Sequence, residues 1–318
     1  MRFRTEISIE NPGFTLSHSS RVMLLGSCFT QSVGSRMADA MMRVVANPFG
    51  TLYNPASITA AVERLAARRL VTSDEIFCSA GAWGSLDFHT SFNRATPSEA
   101  LETMNACIAA ASDFLPLCDA LFVTFGTAFV YRKDGAVVAN CHKLPAAQFK
   151  RSMLSVDEVT EAIGRILAAA RGANPRVKII LTVSPIRHIA DGLADNSLSK
   201  STLRVAIGEA VRLNPGVCVY FPSMEALIDD LRDYRFYAAD MLHPSEVAVD
   251  YIWQWLKSAY FDAASQALIE RCERMTRRLL HRPMSRGTEA AAKFQADTAA
   301  ALKALKAELP YIQAEYNP

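Results

Sequence analysis

The stretch "VMLLGSCFTQSVG", residues 22–34, decides how this chain folds. An apolar run stops at Gly26, and a helical pattern begins a few residues later. This change of pattern predicts a buried strand that turns tightly into a helix. Two residues that can act as nucleophiles, Ser27 and Cys28, stand at the turn. A serine placed there either caps the helix or takes part in chemistry, and this stretch alone leaves both open.

Four further apolar runs carry the same strand signal. They are rich in β-branched and aromatic residues and are bounded by Gly, Pro, Asn or Asp. Their apolar character is continuous rather than alternating, which is typical of strands covered on both faces. They lie at 42–47, 119–126, 176–185 and 216–222.

Helical patterns separate these runs. The clearest, 154–172, has Ser155 and Glu158 at the spacing of a capping box, and a second spans 196–216. Strands that alternate with helices predict an α/β fold, in which a parallel sheet is covered by helices on both faces.

Two segments depart from this alternation. Within 128–140, the pair Asp134-Gly135 between two short apolar runs predicts a hairpin. Residues 72–96 have aromatics and glycines but no clear period, so they predict a long insertion between the second and third sheet strands. Such an insertion has either a functional role or a structural covering role.

The composition is that of a globular protein. Half of the 318 residues are hydrophobic, and the formal net charge is only +2. We therefore expect neither nucleic acid nor a membrane surface as a partner. No apolar run reaches the roughly 18–20 residues that span a membrane, and the first twenty residues lack the apolar core of a signal peptide. We therefore expect a cytoplasmic protein.

The cysteines and histidines predict neither a disulfide framework nor a metal site. The seven cysteines include no CxxC pair, and no two histidines have the helical spacing of metal ligands. Cys107, Cys118 and Cys218 stand in apolar runs and are expected to be buried thiols. No glycine-rich phosphate-binding loop appears either, so we expect no metal and no cofactor.

The character of the chain changes at about residue 261. The remainder is rich in Ala, Lys, Arg and Glu and predicts two amphipathic helices joined at Pro283. We therefore divide the chain into an α/β domain, 1–260, and a C-terminal helical extension, 261–318. The extension is expected to pack on the domain or on a second copy of the chain, which would make a homo-oligomer.

A serine nucleophile needs a base, and one of the six histidines stands out. His243 follows Asp240 by three residues, and Pro244 suits the first position of the next helix. That spacing lets the Asp240 carboxylate bond one ring nitrogen while the other faces a serine. An Asp-x-x-His pair is common by chance, so its weight comes from the serine at the end of the first strand.

Together these residues resemble the GSCFA family, which is named for the motif that begins here at Gly26. That family in turn resembles the SGNH/GDSL hydrolases. The resemblance covers roughly residues 20–255 and implies a three-layer, flavodoxin-like α/β/α sandwich with a Ser-His-Asp triad. Further stretches are similar to the family: "NPFGTLYNP" (47–55), "TFGTAFVY" (124–131), "NCHKLP" (140–145), "SPIRH" (184–188), "NSLSK" (196–200) and "RFYAADMLHPS" (235–245).

The resemblance implies a role for each matching position. Ser27 matches the nucleophile, and Asp240 and His243 match its two partners. The backbone N–H groups of Ser27 and Gly50 match two donors of the oxyanion hole.

One block departs from the hydrolase pattern. The stretch "GTAF" at 126–129 places Ala128 where these hydrolases carry an asparagine whose amide also serves the oxyanion. Loss of one oxyanion donor costs about 100- to 1000-fold in rate, so full activity needs a replacement. The candidates are the Thr127 hydroxyl, Asn54 and Asn140.

Polar side chains near the carboxyl edge of the predicted sheet favour a polar or anionic substrate. They follow the second strand, the hairpin and the fourth strand, and the alternative is that they only anchor loops through hydrogen bonds. The candidates for substrate binding are Asn54, Asn140, His142, Arg187 and His188.

The leading interpretation is an SGNH-like serine esterase or O-acyltransferase. Its substrate would be a small-molecule or carbohydrate ester, attacked by Ser27. A second interpretation is a degenerate module that binds a polar or acylated glycan without turnover, as the missing asparagine suggests. A third is thiol chemistry at Cys28, whose alternative role is that of a packed thiol.

Overall fold

The computed structural model describes residues 7–9, 12–282 and 288–314. Its strands are β1 (Arg21–Gly26), β2 (Arg43–Ala46), β3 (Phe77–Ser79), β4 (Ala82–Gly84), β5 (Ala120–Phe125), β6 (Phe129–Lys133), β7 (Ala136–Val138), β8 (Lys150–Met153), β9 (Lys178–Val183) and β10 (Cys218–Tyr220). Its α-helices are α1 (Cys28–Asp39), α2 (Pro55–Ala66), α3 (Pro97–Phe114), α4 (Val156–Ala173), α5 (Gly192–Leu213), α6 (Ser223–Glu225), α7 (Glu246–Tyr260), α8 (Ala263–Leu280) and α9 (Glu289–Glu308).

The central sheet contains the five predicted strands. Its order is β10-β9-β5-β1-β2, and every pairing is parallel. Counted along the chain, these strands lie in the order 2-1-3-4-5, which is the flavodoxin-like arrangement. Since β1 lies between β2 and β5, the chain direction across the sheet reverses there. In such sheets ligands bind outside the carboxyl ends of the strands at this reversal.

Helices cover both faces of the sheet, which confirms the three-layer α/β/α prediction. Met23 and Leu25 of β1 pack into a core that includes Ile58 of α2 and Ile163 of α4. The alternate residue Leu24 packs on the opposite face, with residues of α1 and α7. Successive side chains of a strand point to opposite faces, so continuous apolarity is what a doubly covered strand requires.

Local sequence signals account for several element boundaries. The predicted capping box is present at α4, where Ser155 Oγ accepts the N–H of Glu158. The hairpin β6–β7 turns at Asp134 and Gly135, which both have left-handed φ values, of 51° and 85°. Asn or Asp followed by Gly tolerates this geometry best, which explains the hairpin. Helix α5 begins at Gly192 rather than at 196 as the sequence predicts.

The insertion at 72–96 is held to α2 by a buried cation. It contains the short hairpin β3–β4 and lies against Arg64, which is 3% exposed. Arg64 forms ion pairs with Glu75 and, at 3.0 Å, with Asp87. These two ion pairs to one buried guanidinium fix the path of the insertion. The insertion therefore needs no regular hydrophobic period in its sequence.

The C-terminal helices pack on the α/β layers. Ile269 of α8 belongs to the same core as α1, while Cys272 and Leu305 enclose Met41 at the end of α1. The predicted junction at Pro283 lies outside the described residues, and the division into two domains stays a prediction. No α-helix among the described residues combines the length and apolarity that crossing a bilayer requires.

The buried-thiol prediction holds for two of its three cysteines. Cys118 and Cys218 are buried, but Cys107 on α3 is only partly covered. Burial raises the pKa of Cys118 to about 12 and that of Cys218 to about 11. Both thiols therefore stay protonated and unreactive at neutral pH.

Candidate active site

The turn after β1 places Ser27 at the reversal point of the sheet. Gly26 has φ +144°, and a Cβ there would lie 2.2 Å from the carbonyl oxygen of Thr124 on β5. Only glycine fits this backbone and this close approach. The strand therefore ends in contact with its neighbour, and Ser27 follows at the start of α1.

Ser27 occupies the N-cap position of α1 but does not cap the helix. Its side chain makes no cap hydrogen bond, although its φ of −68° and ψ of 178° are those of an N-cap residue. The residue is fully buried, and its Oγ has no hydrogen-bond partner within the described part of the chain. The capping role that the sequence left open is therefore not realised, and the hydroxyl is available for another purpose.

The loop between β2 and α2 fixes this turn. Asn47 Oδ1 accepts the N–H of Gly26 at 2.9 Å, and the N–H of Leu52 donates to the Gly26 carbonyl at 2.9 Å. The Tyr53 carbonyl accepts the N–H groups of Gly126 and Thr127, at 2.7 and 3.0 Å, where β5 ends. The loop thus ties the ends of β1 and β5 together.

Asp240 and His243 form the pair that their spacing predicts. Asp240 Oδ2 lies 2.6 Å from His243 Nδ1, and Oδ1 accepts the backbone N–H groups of His243 and Leu242. These hydrogen bonds, led by the N–H of His243, lower the pKa of Asp240 to about 2. An ionised carboxylate can only accept, so Nδ1 carries a proton and Nε2 remains the acceptor in a neutral ring.

The Asp240 loop reaches the serine turn through intermediate residues. The N–H of Arg187 donates to the Leu242 carbonyl at 3.2 Å, and the ring of the next residue, His188, meets the Tyr53 ring at 5.6 Å. Tyr53 Oη in turn lies 3.5 Å from Cys28 Sγ, beside Ser27. A chain of contacts thus links the Asp240 loop to the Ser27 turn, but Ser27 Oγ makes no hydrogen bond to His243 or to any other described residue.

A buried cation that the sequence analysis missed supports the same region. Lys200 of α5 donates to the Gly126 carbonyl at 2.6 Å and to the Ser184 carbonyl at 2.8 Å. Burial lowers its pKa from 10.5 to about 7. The signal was present, because Lys200 precedes Leu203 and Ile207 by three and seven residues and so shares their buried face.

His188 is an uncharged donor or acceptor beside that lysine. Burial, followed by the nearby charges of Lys200 and His243, lowers the pKa of His188 to about 4. Its Nε2 is buried and has no hydrogen-bond partner among the described residues. At neutral pH this ring offers a neutral polar atom to whatever enters the region.

The predicted oxyanion donors already have partners. The N–H of Ser27 donates to the Thr124 carbonyl at 3.2 Å, and the N–H of Gly50 donates to the Asn47 carbonyl at 2.7 Å. Thr127 Oγ1 lies 3.0 Å from Ser199 Oγ and accepts the N–H of Phe129. Asn54 Oδ1 caps α2 by accepting the N–H of Ser57 at 2.8 Å. The two backbone N–H groups could serve an oxyanion only by giving up these bonds, whereas the Asn54 bond uses the side-chain oxygen and not the amide NH2 that would donate to an oxyanion.

Two predicted substrate ligands make the loop-anchoring bonds of the alternative interpretation. His142 is 6% exposed, and its Nε2 donates to the carbonyls of Ser85 and Phe88 at 2.7 and 3.0 Å. Burial lowers the pKa of His142, so the ring stays neutral. Asn140 Oδ1 accepts the N–H of His142 at 2.8 Å. Both residues thus tie the insertion to the hairpin β6–β7.

Arg187 keeps a place at the sheet edge. Its guanidinium lies 4.3 Å from the ring centroid of Tyr237 and 5.1 Å from that of Tyr234. It also donates to Tyr234 Oη at 3.2 Å. Because a stacked guanidinium keeps some donors free for a ligand, Arg187 stays a candidate for binding a polar substrate.

Sheet order, flanking helices and the serine turn together define an α/β protein whose candidate site lies at the carboxyl edge of its parallel sheet. Residues 21–255 match the GSCFA family. The chain belongs to this family, as its motifs indicate. No curated protein matches the chain.

Three solved esterases are similar to the chain at low identity. A carbohydrate esterase family 3 protein from Talaromyces cellulolyticus is 14% identical, over 79% of this chain and 99% of its own, with a TM-score of 0.37. An acetyl esterase mutant solved with an acetate ion has the same identity, coverage and TM-score. An acetyl xylan esterase from the rumen bacterium Butyrivibrio proteoclasticus is 12% identical, over 77% of this chain and 65% of its own, with a TM-score of 0.40.

Proposed function

We propose that this protein is a serine esterase or O-acyltransferase that acts on acyl esters through Ser27, His243 and Asp240. The observation that carries the proposal is the Ser27 hydroxyl, which is buried at the N-cap of α1 and neither caps the helix nor bonds any described residue. A buried hydroxyl without a partner is costly, so its presence at the reversal point of the sheet calls for a functional reason.

The chemistry follows from the state of each side chain. As Ser27 Oγ forms a bond to the acyl carbon, its proton passes to Nε2 of His243 and the carbonyl electron pair moves onto oxygen. The pair then re-forms the carbonyl, the ester C–O bond breaks, and His243 protonates the departing alkoxide. Asp240, ionised because its pKa is about 2, stabilises the imidazolium during both transfers.

The final acceptor of the acyl group decides between the two activities. Water attacks the acyl-enzyme in an esterase, and a sugar or other hydroxyl attacks it in a transferase. Arg187 and His188 support a polar substrate such as a carbohydrate ester, because the His188 ring lies against Tyr53 and the Arg187 guanidinium lies over Tyr237, and both side chains carry polar atoms that a ligand could bond.

A binding module without turnover is the second candidate. The observation that favours it is that the N–H groups of Ser27 and Gly50 both donate to backbone carbonyls, while Ala128 stands in place of the expected asparagine. A site in this state would bind an acylated ligand but stabilise its tetrahedral intermediate poorly.

The test is turnover of p-nitrophenyl acetate by the wild type and by matched serine variants. We expect Ser27→Ala and His243→Ala to abolish turnover. Ser184→Ala is the control, because Ser184 is also a fully buried serine that follows a sheet strand, but its Oγ accepts the N–H of Ile186.

Three results would count against a serine esterase. Equal turnover by Ser27→Ala and the wild type would reject Ser27 as the nucleophile. Loss of turnover in Cys28→Ala alone would support thiol chemistry, whereas a folded wild type that binds acetylated sugars without turnover would support the binding module.

A further inference from the structure

Asn47 has an unpaired amide beside the serine turn. It follows β2, is 6% exposed, and its Oδ1 accepts the N–H of Gly26 at 2.9 Å. Its Nδ2 is buried and has no hydrogen-bond partner within the described ranges. Because the Gly26 N–H is a donor, the oxygen must face it and the amide cannot be flipped. The two hydrogens of Nδ2 are therefore directed away from that bond and unpaired.

The backbone holds this amide in place. Asn47 has a left-handed φ of 48°, and its own N–H donates to the Leu24 carbonyl of β1 at 2.8 Å. Its carbonyl accepts the N–H of Gly50. The two peptide groups and the side-chain oxygen are thus bonded to β1 and to the following turn, whereas Nδ2 has no partner among the described residues.

Unpaired polar atoms lie at the carboxyl ends of the neighbouring strands β1 and β2, among them Ser27 Oγ and Asn47 Nδ2, and Thr30 Oγ1 and Thr124 Oγ1 near Gly26 are also unpaired. Ser27, with its unpaired Oγ, follows β1, and Asn47, with its unpaired Nδ2, follows β2. The Asn47 side chain is bonded through Oδ1 to Gly26, the residue directly before Ser27. Buried donors and acceptors without partners are rare in folded proteins, so each needs an explanation. A nucleophile and an oxyanion donor that wait for substrate would account for both at once.

We propose that Nδ2 of Asn47 is the oxyanion donor that replaces the amide absent at Ala128. The inference rests on the proposed function of Ser27. When Ser27 Oγ adds to the acyl carbon, the negative charge appears on the former carbonyl oxygen, and Nδ2 donates to it. The bond strengthens as charge develops, so it lowers the barrier rather than only binding the ester. Asn47 neither gains nor loses a proton in either step.

The substitution Asn47→Asp separates this role from a structural one. Aspartate keeps an oxygen to accept the Gly26 N–H and tolerates left-handed backbone, but its side chain has no N–H to donate. The control is Asn174→Asp at the amino edge of the sheet, where Oδ1 likewise accepts a backbone N–H, from Arg176 at 3.0 Å.

The readouts are kcat and KM for p-nitrophenyl acetate, measured at each protein's optimal pH, and the urea midpoint. We expect Asn47→Asp to lower kcat about 100- to 1000-fold, with KM changed only a few-fold and the protein folded. Asn174→Asp should keep the wild-type kcat. Asn47→Gly, which also fits a left-handed φ, should show the same loss of kcat. It replaces the aspartate variant in this test if that variant does not fold.

The outcomes distinguish this role from the function on which it rests. Wild-type kcat in a folded Asn47→Asp or Asn47→Gly variant, with Ser27→Ala inactive, would overturn the role of Asn47 and leave the esterase standing. A folded wild type that neither turns over esters nor labels at Ser27 would overturn both.

Discussion

Replacement of Gly26 by alanine tests how the first strand delivers Ser27. The glycine has φ +144°, and an added Cβ would lie 2.2 Å from the Thr124 carbonyl oxygen and 2.9 Å from its carbonyl carbon and from Thr30 Oγ1. Two costs therefore add: the backbone conformation, worth about 1–3 kcal/mol, and the overpacking, worth about 1–3 kcal/mol. We expect Gly26→Ala to lower the free energy of unfolding by about 2–6 kcal/mol.

The matched control is Gly135→Ala in the hairpin β6–β7. Gly135 has φ +85°, but nothing lies within 4 Å of an added Cβ, so this variant bears only the backbone cost. Urea denaturation followed by circular dichroism gives both changes on one scale. Equal losses in the two variants, or a loss below about 1 kcal/mol for Gly26→Ala, would refute the close approach of β1 to β5.

The remaining predictions concern the charged groups. Asp240→Asn should lower kcat by up to about 10⁴-fold with little change in the urea midpoint, because an amide no longer holds the proton on Nδ1 of His243. Unchanged kcat and KM for the ester would contradict the role of the Asp240–His243 pair. Arg64→Met should lower the free energy of unfolding by about 3 kcal/mol, because it removes the buried partner of Asp87 and Glu75, of which Glu75 keeps only the exposed Arg69. Arg69→Met should cost less than about 1 kcal/mol, because its ion pair with Glu75 is exposed on the arginine side; equal urea midpoints for the two variants would contradict this. Lys200 binds its proton less tightly in the folded protein, since its pKa falls from 10.5 to about 7. The wild type should therefore gain stability relative to Lys200→Met as the pH rises from about 7 to about 10, and urea titrations with a pH-independent difference would contradict that burial.

The sequence predicts the sheet well because each strand is covered on both faces. A continuous apolar run that is short and ends at a glycine, such as the one ending at Gly26, favours a buried strand. The capping box at Ser155 marks a helix start through local bonds alone. The Asp240–His243 pair is also local, since both residues lie on one turn. These features need no knowledge of distant contacts.

The partners of the oxyanion candidates depend on distant contacts, so the sequence does not reveal them. The N–H of Gly50 is used by Asn47, and Thr127 Oγ1 is used by Ser199 on α5. His142 likewise anchors a loop because the insertion passes beside it. The path of a loop decides which donor stays unpaired, and no spacing rule for loops predicts that path.

The importance of Asn47 was hidden for the same reason. Its motif was visible in the sequence, but the unpaired Nδ2 appears only once Gly26 is seen to bind the side-chain oxygen. The burial of Lys200 was hard to predict for a different reason. Lysine is usually exposed, so a lysine on the apolar face of α5 is not expected to be buried. Its ammonium is buried where two strand-end carbonyls accept its protons.

The central claim is that Ser27 is an activated nucleophile, and covalent labelling tests it most directly. The purified protein would be treated with a fluorophosphonate, and the modified peptide would be located by mass spectrometry in the wild type, Ser27→Ala, His243→Ala, Cys28→Ala and Ser184→Ala. We predict a single adduct on Ser27 that is lost in the first two variants and retained in the last two. An unlabelled wild type that is folded, or an adduct on any other residue, would contradict the claim.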